Sequence, residues 1–488
     1  MIKKLKSINI YSIALLILIP IICLFKFGWR MDADIWFILN VGKYIYGNGF
    51  PYVDIFSMHE GLNYVVQQWA YALLVWPLFK WIGPLGIFII NVLCSIILFV
   101  LIYKLCSYIS NNKKISLLIS ILILFLMVNG LFITLRPQMF SYIFLISLLL
   151  TWEKYMETGN NKYLILLPIL SILQSNFHAS LWWLLIIYSL PFIAEIFIIN
   201  VILKKKTKAN LQVSILVLIA MFFCGAINPY GIEAINYLFK SINPYASKYI
   251  NEMILFSSIN KYGISIISIL FVYVLYLCYV KKRDIKLRYL FLVMGSFIIA
   301  FTASKCVAFF YLCAVYPLAY LFKDWFNDKN NIKFIDRSIL FKCIYILIII
   351  ISFILCFNYR NRFIFKTTYK NDNVFSELKE KIGTDNVTLY TNYTYGSYAE
   401  YIGFKCFIDT RAELYYATLN GKDDIFDDNY LLQRGGLTID EFLDKYKMTH
   451  LLVFDEDTMY LYKDIDNYHL LFEGDTYRVY ERDDYNES

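Results

Sequence analysis

Apolar residues in this chain come in long blocks, and only the last quarter departs from that pattern. Runs near 8–27, 84–103, 115–133, 138–151, 162–176, 179–202, 211–227, 262–280, 287–301, 304–322 and 339–357 are separated by short polar breaks. Many approach the roughly 20 residues a helix needs to cross about 30 Å of hydrocarbon. One further run, 65–82, carries Gln67, Gln68 and Pro77 and stops at Gly83-Pro84. After Phe357 the period changes. Val387–Tyr390, Lys405–Ile408 and His450–Phe454 read as short strands, and Tyr468–Phe472 with Tyr477–Glu481 as a hairpin around Glu473-Gly474-Asp475. Thr438–Lys447 reads as a helix, with Thr438 and Glu441 spaced as a capping box. The pattern predicts a polytopic α-helical membrane protein of about eleven spans. It is expected to consist of a helical domain over 1–357, including a first outer loop at 28–83, and a small α/β domain over 358–488.

Composition agrees. The 488 residues are 59% hydrophobic and only 17% charged, against about a quarter charged in soluble domains. The net charge of +8 comes from clusters between apolar runs, such as Lys204-Lys205-Lys206 and Lys281-Lys282-Arg283, so it is an orientation signal and calls for no nucleic acid. The basic loops alternate if 65–82 lies in the interface or re-enters without crossing, which puts the N-terminus in the cytoplasm and the C-terminal domain outside. The first run follows Lys3, Lys4 and Lys6 and lacks a small-residue cleavage site before Lys26, so it reads as a retained helix. Ten scattered cysteines offer neither a disulfide framework nor a zinc spacing.

With that topology the unusual polar residues gather at the outer boundary. Asp32, Asp34, Asp54, His59 and Glu60 fall in the first outer loop, Arg136 at the end of the third span, and His178 in the turn Asn176-Phe177-His178. Glu252 falls in the loop opened by Asn228-Pro229-Tyr230-Gly231, and Lys305 between two later spans. Each has an ordinary explanation: a snorkelling cation, a helix cap, a turn. Together they suit one chemistry, and nothing comparable is expected on the inner side. A carboxylate takes the proton of an attacking hydroxyl, while nearby cations neutralise a departing lipid phosphate. Trp36 and its aromatic neighbours are candidates for stacking on sugar rings, or for an interfacial helix.

The stretches Asp32-Ala33-Asp34-Ile35-Trp36, Gly42-Lys43-Tyr44-Ile45, Asp54-Ile55-Phe56-Ser57, Leu135-Arg136-Pro137-Gln138, Asn176-Phe177-His178, Asn228-Pro229-Tyr230-Gly231 and Phe407-Ile408-Asp409-Thr410-Arg411 resemble the GT-C superfamily of membrane glycosyltransferases, in a bacterial branch. The chain departs from that pattern at Phe37, where relatives carry His, and at Lys305, where they carry Arg. The resemblance implies an enzyme of the bacterial plasma membrane that moves a sugar from a polyprenyl-phosphate carrier to an extracytoplasmic glycan, lipid or protein. Asp34 would be the base, with Asp32 orienting the acceptor or a metal. Arg136, His178, Lys305, Glu252, Trp36 and His59 would bind substrate. No cofactor is implied, and the spacing of carboxylates does not argue for a divalent metal. An Asp409–Arg411 pair that merely fixes a loop is as good a reading as a ligand site. The alternatives are a transporter or flippase of lipid-linked sugars, which calls for mid-membrane polar residues and repeats, and a non-enzymatic envelope protein.

Overall fold

The structure, a computed structural model, describes residues 31–129, 132–241, 286–322 and 372–485, with a few isolated positions between 269 and 280. The predicted spans 8–27 and 339–357, and Glu252, lie outside the described residues. The chain divides into two compact units. One is helical and is built on Ile87–Ile227 and part of Tyr245–Phe365. The other joins three stretches distant in sequence, Arg30–Gly86, Asn228–Pro244 and Lys366–Ser488. By contact, the first loop therefore belongs with the C-terminal domain, where the sequence pattern had grouped it with the helices.

In the helical unit, two helices among the described residues, Pro84–Ser110 and Ala179–Ile202, are long and apolar enough to cross a membrane. Ile115–Val128, Leu211–Cys224, Leu287–Ala300 and Ser304–Tyr320 are apolar but shorter. Small hydroxyl residues join the helices. The Trp182 indole donates to Ser171 Oγ at 2.7 Å, and that hydroxyl donates to the Met221 carbonyl at 2.5 Å. Trp152 donates to Ser189 Oγ at 3.0 Å and stacks on Phe192. Such bonds satisfy polar atoms where no water would.

One expectation is corrected here. The Arg136 end of this unit is not alone in carrying buried charge. At the opposite ends of the helices Arg288, 3% exposed, lies between Glu153 and Glu195. It donates to Glu153 Oε2 at 2.9 Å, and its backbone N–H donates to Glu195 Oε2 at 2.7 Å. The Tyr289 and Tyr316 hydroxyls also donate to Glu153. Three helices are thereby tied by ions that lose most of their hydration, an arrangement stable only while every partner is present.

The second unit is built on a five-stranded sheet. In chain order its strands are β1 (Thr388–Tyr390), β2 (Lys405–Cys406), β3 (His450–Phe454), β4 (Tyr468–Glu473) and β5 (Tyr477–Arg482), arranged β2-β1-β3-β5-β4. β1 runs parallel to β2 and β3, and β5 antiparallel to β3 and β4. Side chains alternate across the sheet. Leu389, Leu452, Phe454 and Val479 meet Phe375, Leu378, Tyr395 and Ala399 in one core. On the other face Tyr390 and Phe407 meet Phe442. The capping box forms as expected, with Thr438 and Glu441 each accepting from the other's backbone N–H.

The first loop closes the β2 edge. Asp54 N–H donates to the Leu62 carbonyl at 2.8 Å, making a small ribbon, and Met58 N–H donates to the Cys406 carbonyl at 2.9 Å. An edge that would otherwise offer unpaired backbone groups is thus covered. The Trp69–Ile82 helix, the ambiguous run of the sequence, has 14 residues and rises about 21 Å, too short to cross unaided. It packs on the Ala33–Asn48 helix at Gly42, where a Cβ would stand 2.5 Å from the Ala72 carbonyl oxygen.

Candidate functional site

The loop and the sheet are locked by one buried guanidinium. Arg411, 2% exposed, donates to Asp54 Oδ1 at 2.6 Å, to both oxygens of Asp409 and to Glu400 Oε2 at 3.3 Å. The rings of Phe56 and Tyr64 lie 5.3 and 4.9 Å from it. Asp54 also accepts from the Ser57 backbone N–H at 3.0 Å, and Asp409 from the Tyr415 hydroxyl at 2.7 Å. Burial pushes the Asp54 pKa upward, but Arg411 and the Ser57 bonds outweigh it and hold the group below the usual carboxylate range. Glu400 goes the other way. Burial, then the adjacent Asp409 charge, raise it well above 4.5, and its Oε1 has no hydrogen-bond partner. Three carboxylates on one arginine leave a surplus of negative charge, and a proton on Glu400 relieves it. Asp409 and Arg411 thus form a fixed network with Asp54.

The carboxyl ends of β1 and β3 are where open α/β sheets place ligands, because the connection from β1 leads to β2 on one side and that from β3 leads to β4 and β5 on the other. The Tyr393–Ile402 helix starts at this edge, with Asn392 as its cap. It lies against the segment after β2 because residue 396 is glycine: a Cβ there would stand 1.8 Å from the Ile408 carbonyl oxygen. Ser397 and Thr410 share a hydroxyl contact of 2.8 Å. The Ala33–Asn48 helix runs alongside. Trp36 is buried against Tyr398 and Tyr401, ring centres 4.7 and 5.1 Å apart.

That alignment carries Asp34 to the Tyr393 end. Asp32 caps the helix, its Oδ1 accepting from the Asp34 backbone N–H at 2.8 Å. Asp34 stands half-buried in the first turn, where the helix dipole favours negative charge. The Tyr393 phenol, donating to the Thr410 carbonyl at 3.0 Å, feels the charges of both Asp34 and Glu413. Glu413 accepts from Gln67 Nε2 at 3.4 Å. Sequence reasoning missed Glu413, although an acid flanked by Ala412, Leu414 and Tyr415 was a visible oddity.

His59 is tied into the sheet. Its Nε2 lies 2.7 Å from the Phe407 carbonyl and its ring packs near Phe407, Tyr415 and Tyr446. Burial lowers its pKa, so it bonds as a neutral donor. In the helical unit the structure brings Arg136, His178 and Lys305 together. His178 Nδ1 lies 2.8 Å from Ser141 Oγ, which accepts from Gln174 at 2.9 Å. Burial, then the positive charges of Lys305 and Arg136, lower the His178 pKa to about 3. A neutral imidazole between two cations suits an anion. Among the described residues no group of three His, Cys, Asp or Glu side chains is placed to hold a metal ion.

No family model and no curated protein matches this chain in sequence. Solved structures do match in fold. The oligosaccharyltransferase of Archaeoglobus fulgidus, tethered with an acceptor peptide containing the NVT sequon, superposes with a TM-score of 0.55 at 11% identity. Its apo form gives 0.56 at 10% identity, and both matches cover 91% of this chain and 69% of that one. The chain therefore shares the fold of that oligosaccharyltransferase.

Proposed function

We propose that this protein is a plasma-membrane glycosyltransferase that carries a sugar from a polyprenyl-phosphate donor to an extracytoplasmic acceptor. The observation that carries the reading is the placement of Asp34: in the first turn of a capped helix, half-buried, at the ligand edge of the sheet beside Tyr393. The acceptor O–H gives its proton to the Asp34 carboxylate as its oxygen bonds to the anomeric carbon. The bond from that carbon to the phosphate oxygen breaks, and its electron pair leaves on the polyprenyl phosphate. Arg136 and Lys305 neutralise that charge as it develops, and His178 donates to it as a neutral imidazole. Asp32 orients Asp34 through the backbone.

The fold match supports this reading over a transporter. A transport path calls for charges midway along the helices. The buried Arg288 cluster instead lies toward helix ends, with Arg288 second in its helix and Glu195 in the last third of Ala179–Ile202. The test is Asp34→Asn in purified full-length protein in nanodiscs, with radiolabelled polyprenyl-phosphate hexose as donor. Transfer is expected to fall at least a hundredfold, in line with loss of a general base. Wild-type rates from the variant would remove Asp34 from the chemistry.

A further inference from the structure

His178 follows the Leu166–Phe177 helix directly, and its neighbours decide which ring nitrogen carries the proton. Gln174, one turn earlier and 1% exposed, spends both amide protons there. Its Nε2 donates to the His178 carbonyl at 2.6 Å and to Ser141 Oγ at 2.9 Å. The reversed amide would set its oxygen against that carbonyl oxygen, so the nitrogen keeps this place although Oε1 is left buried without a partner. Ser141 is buried on the Gln138–Thr158 helix. Ser147 and Thr151 of that helix donate to the carbonyl four residues back, at 2.8 and 2.7 Å. Ser141 makes no such bond among the described residues. Its oxygen accepts from Gln174, and its hydrogen has one acceptor to reach, His178 Nδ1 at 2.8 Å.

Were Nδ1 protonated, Ser141 would face two donors and keep a buried hydrogen without an acceptor, which is costly. With Nδ1 bare, every one of these bonds closes. The proton of the neutral ring then sits on Nε2, because the bond made by one nitrogen fixes the state of the other. We propose, building on the glycosyl-transfer reading, that Ser141 and Gln174 are positioning residues that hold His178 in its Nε2–H form, ready to donate to a phosphate oxygen. The other form would turn a lone pair towards that oxygen and repel it. Gln174 orders the Ser141 hydroxyl, and Ser141 orders the ring.

The test reads the ring itself. The chain has four histidines, so nitrogen-15-labelled histidine in the full-length protein in nanodiscs gives a spectrum simple enough to assign. The His178 resonances are identified by their loss in His178→Gln and by their shift in Ser141→Ala. At neutral pH the wild type should show a bare, hydrogen-bonded Nδ1 and a protonated Nε2. Ser141→Ala should add a population with Nδ1 protonated, and lower kcat for polyprenyl-phosphate hexose about three- to tenfold with little change in KM, as for one lost hydrogen bond. Ser141→Thr, which keeps the hydroxyl, should restore both the tautomer and the rate. A protonated Nδ1 in the wild type would overturn the assignment, with no variant needed beyond the one that identifies the signal. A tautomer unchanged in Ser141→Ala would remove the positioning role, since a residue that only packs leaves the ring nitrogens as they are. If the Nε2–H form is found but the wild type transfers no sugar, the transferase reading falls and the tautomer assignment stands.

Discussion

Replacing Glu400 by Gln isolates the surplus charge around Arg411. Glu400 is 5% exposed and shares Arg411 with Asp54 and Asp409. Its folded pKa is raised above the unfolded 4.5, by burial first and Asp409 second. The folded state therefore keeps a proton that the unfolded chain releases. This contribution is complete below the unfolded pKa and is lost as pH climbs towards the folded one. Over that interval stability falls by about 1.4 kcal/mol per pH unit. At roughly 2–4 °C per kcal/mol for a unit of this size, the melting temperature should drop about 3–6 °C per pH unit. Gln has the shape of the protonated acid and cannot ionise, so Glu400→Gln should match wild type only below the unfolded pKa, melt above wild type at neutral pH and lose that alkaline slope. Asp54, whose pKa is lowered, works in the opposite sense, stabilising above its unfolded value and failing as pH falls. The assay is tryptophan-detected melting of the detergent-solubilised full chain from pH 5.5 to 9. If Glu400→Gln keeps the wild-type alkaline slope, or melts far below wild type at neutral pH, Glu400 does not hold the proton.

Two further outcomes follow from local geometry. Asp32→Ala removes the cap on the Ala33–Asn48 helix and should cost about 1 kcal/mol, whereas Asp32→Asn, which caps equally well, should not; comparing their melting temperatures and transfer rates separates the cap from any direct catalytic role. Gly396→Ala drives a methyl into the Ile408 carbonyl at 1.8 Å, so full-length protein should lose its monodisperse peak in size-exclusion chromatography, while Ser397→Ala should keep it.

What the sequence disclosed was set by the range of the forces involved. The β3 strand, the 468–482 hairpin and the Thr438–Glu441 box depend on neighbours a few residues apart, and they form close to where the pattern put them. The Asp54–Arg411 pair joins residues 357 positions apart, and although each stood in a family-like stretch, nothing in the sequence joined the two. Arg288 escaped for another reason. Basic residues near span ends count as orientation signals, so its pairing with Glu195, inside an apolar run, was invisible to charge counting. The carboxylate beside Tyr393 was half legible: Asp34 announced itself after a long apolar run, whereas Glu413 needed the fold to bring it there.

The three-part origin of the sheet-bearing unit has a consequence for synthesis. Its first segment ends at Gly86 and its last begins at Lys366. At roughly 5–20 residues per second, the ribosome takes on the order of 15–60 s to make the chain between them. Throughout that interval the Asp54 ribbon has no β2 edge to cover and no arginine to meet. The first loop must therefore wait, hydrated and unpaired, while the helices between are threaded through the insertion machinery. A nascent chain stalled before Arg411 should expose that loop to protease, and one released after it should not.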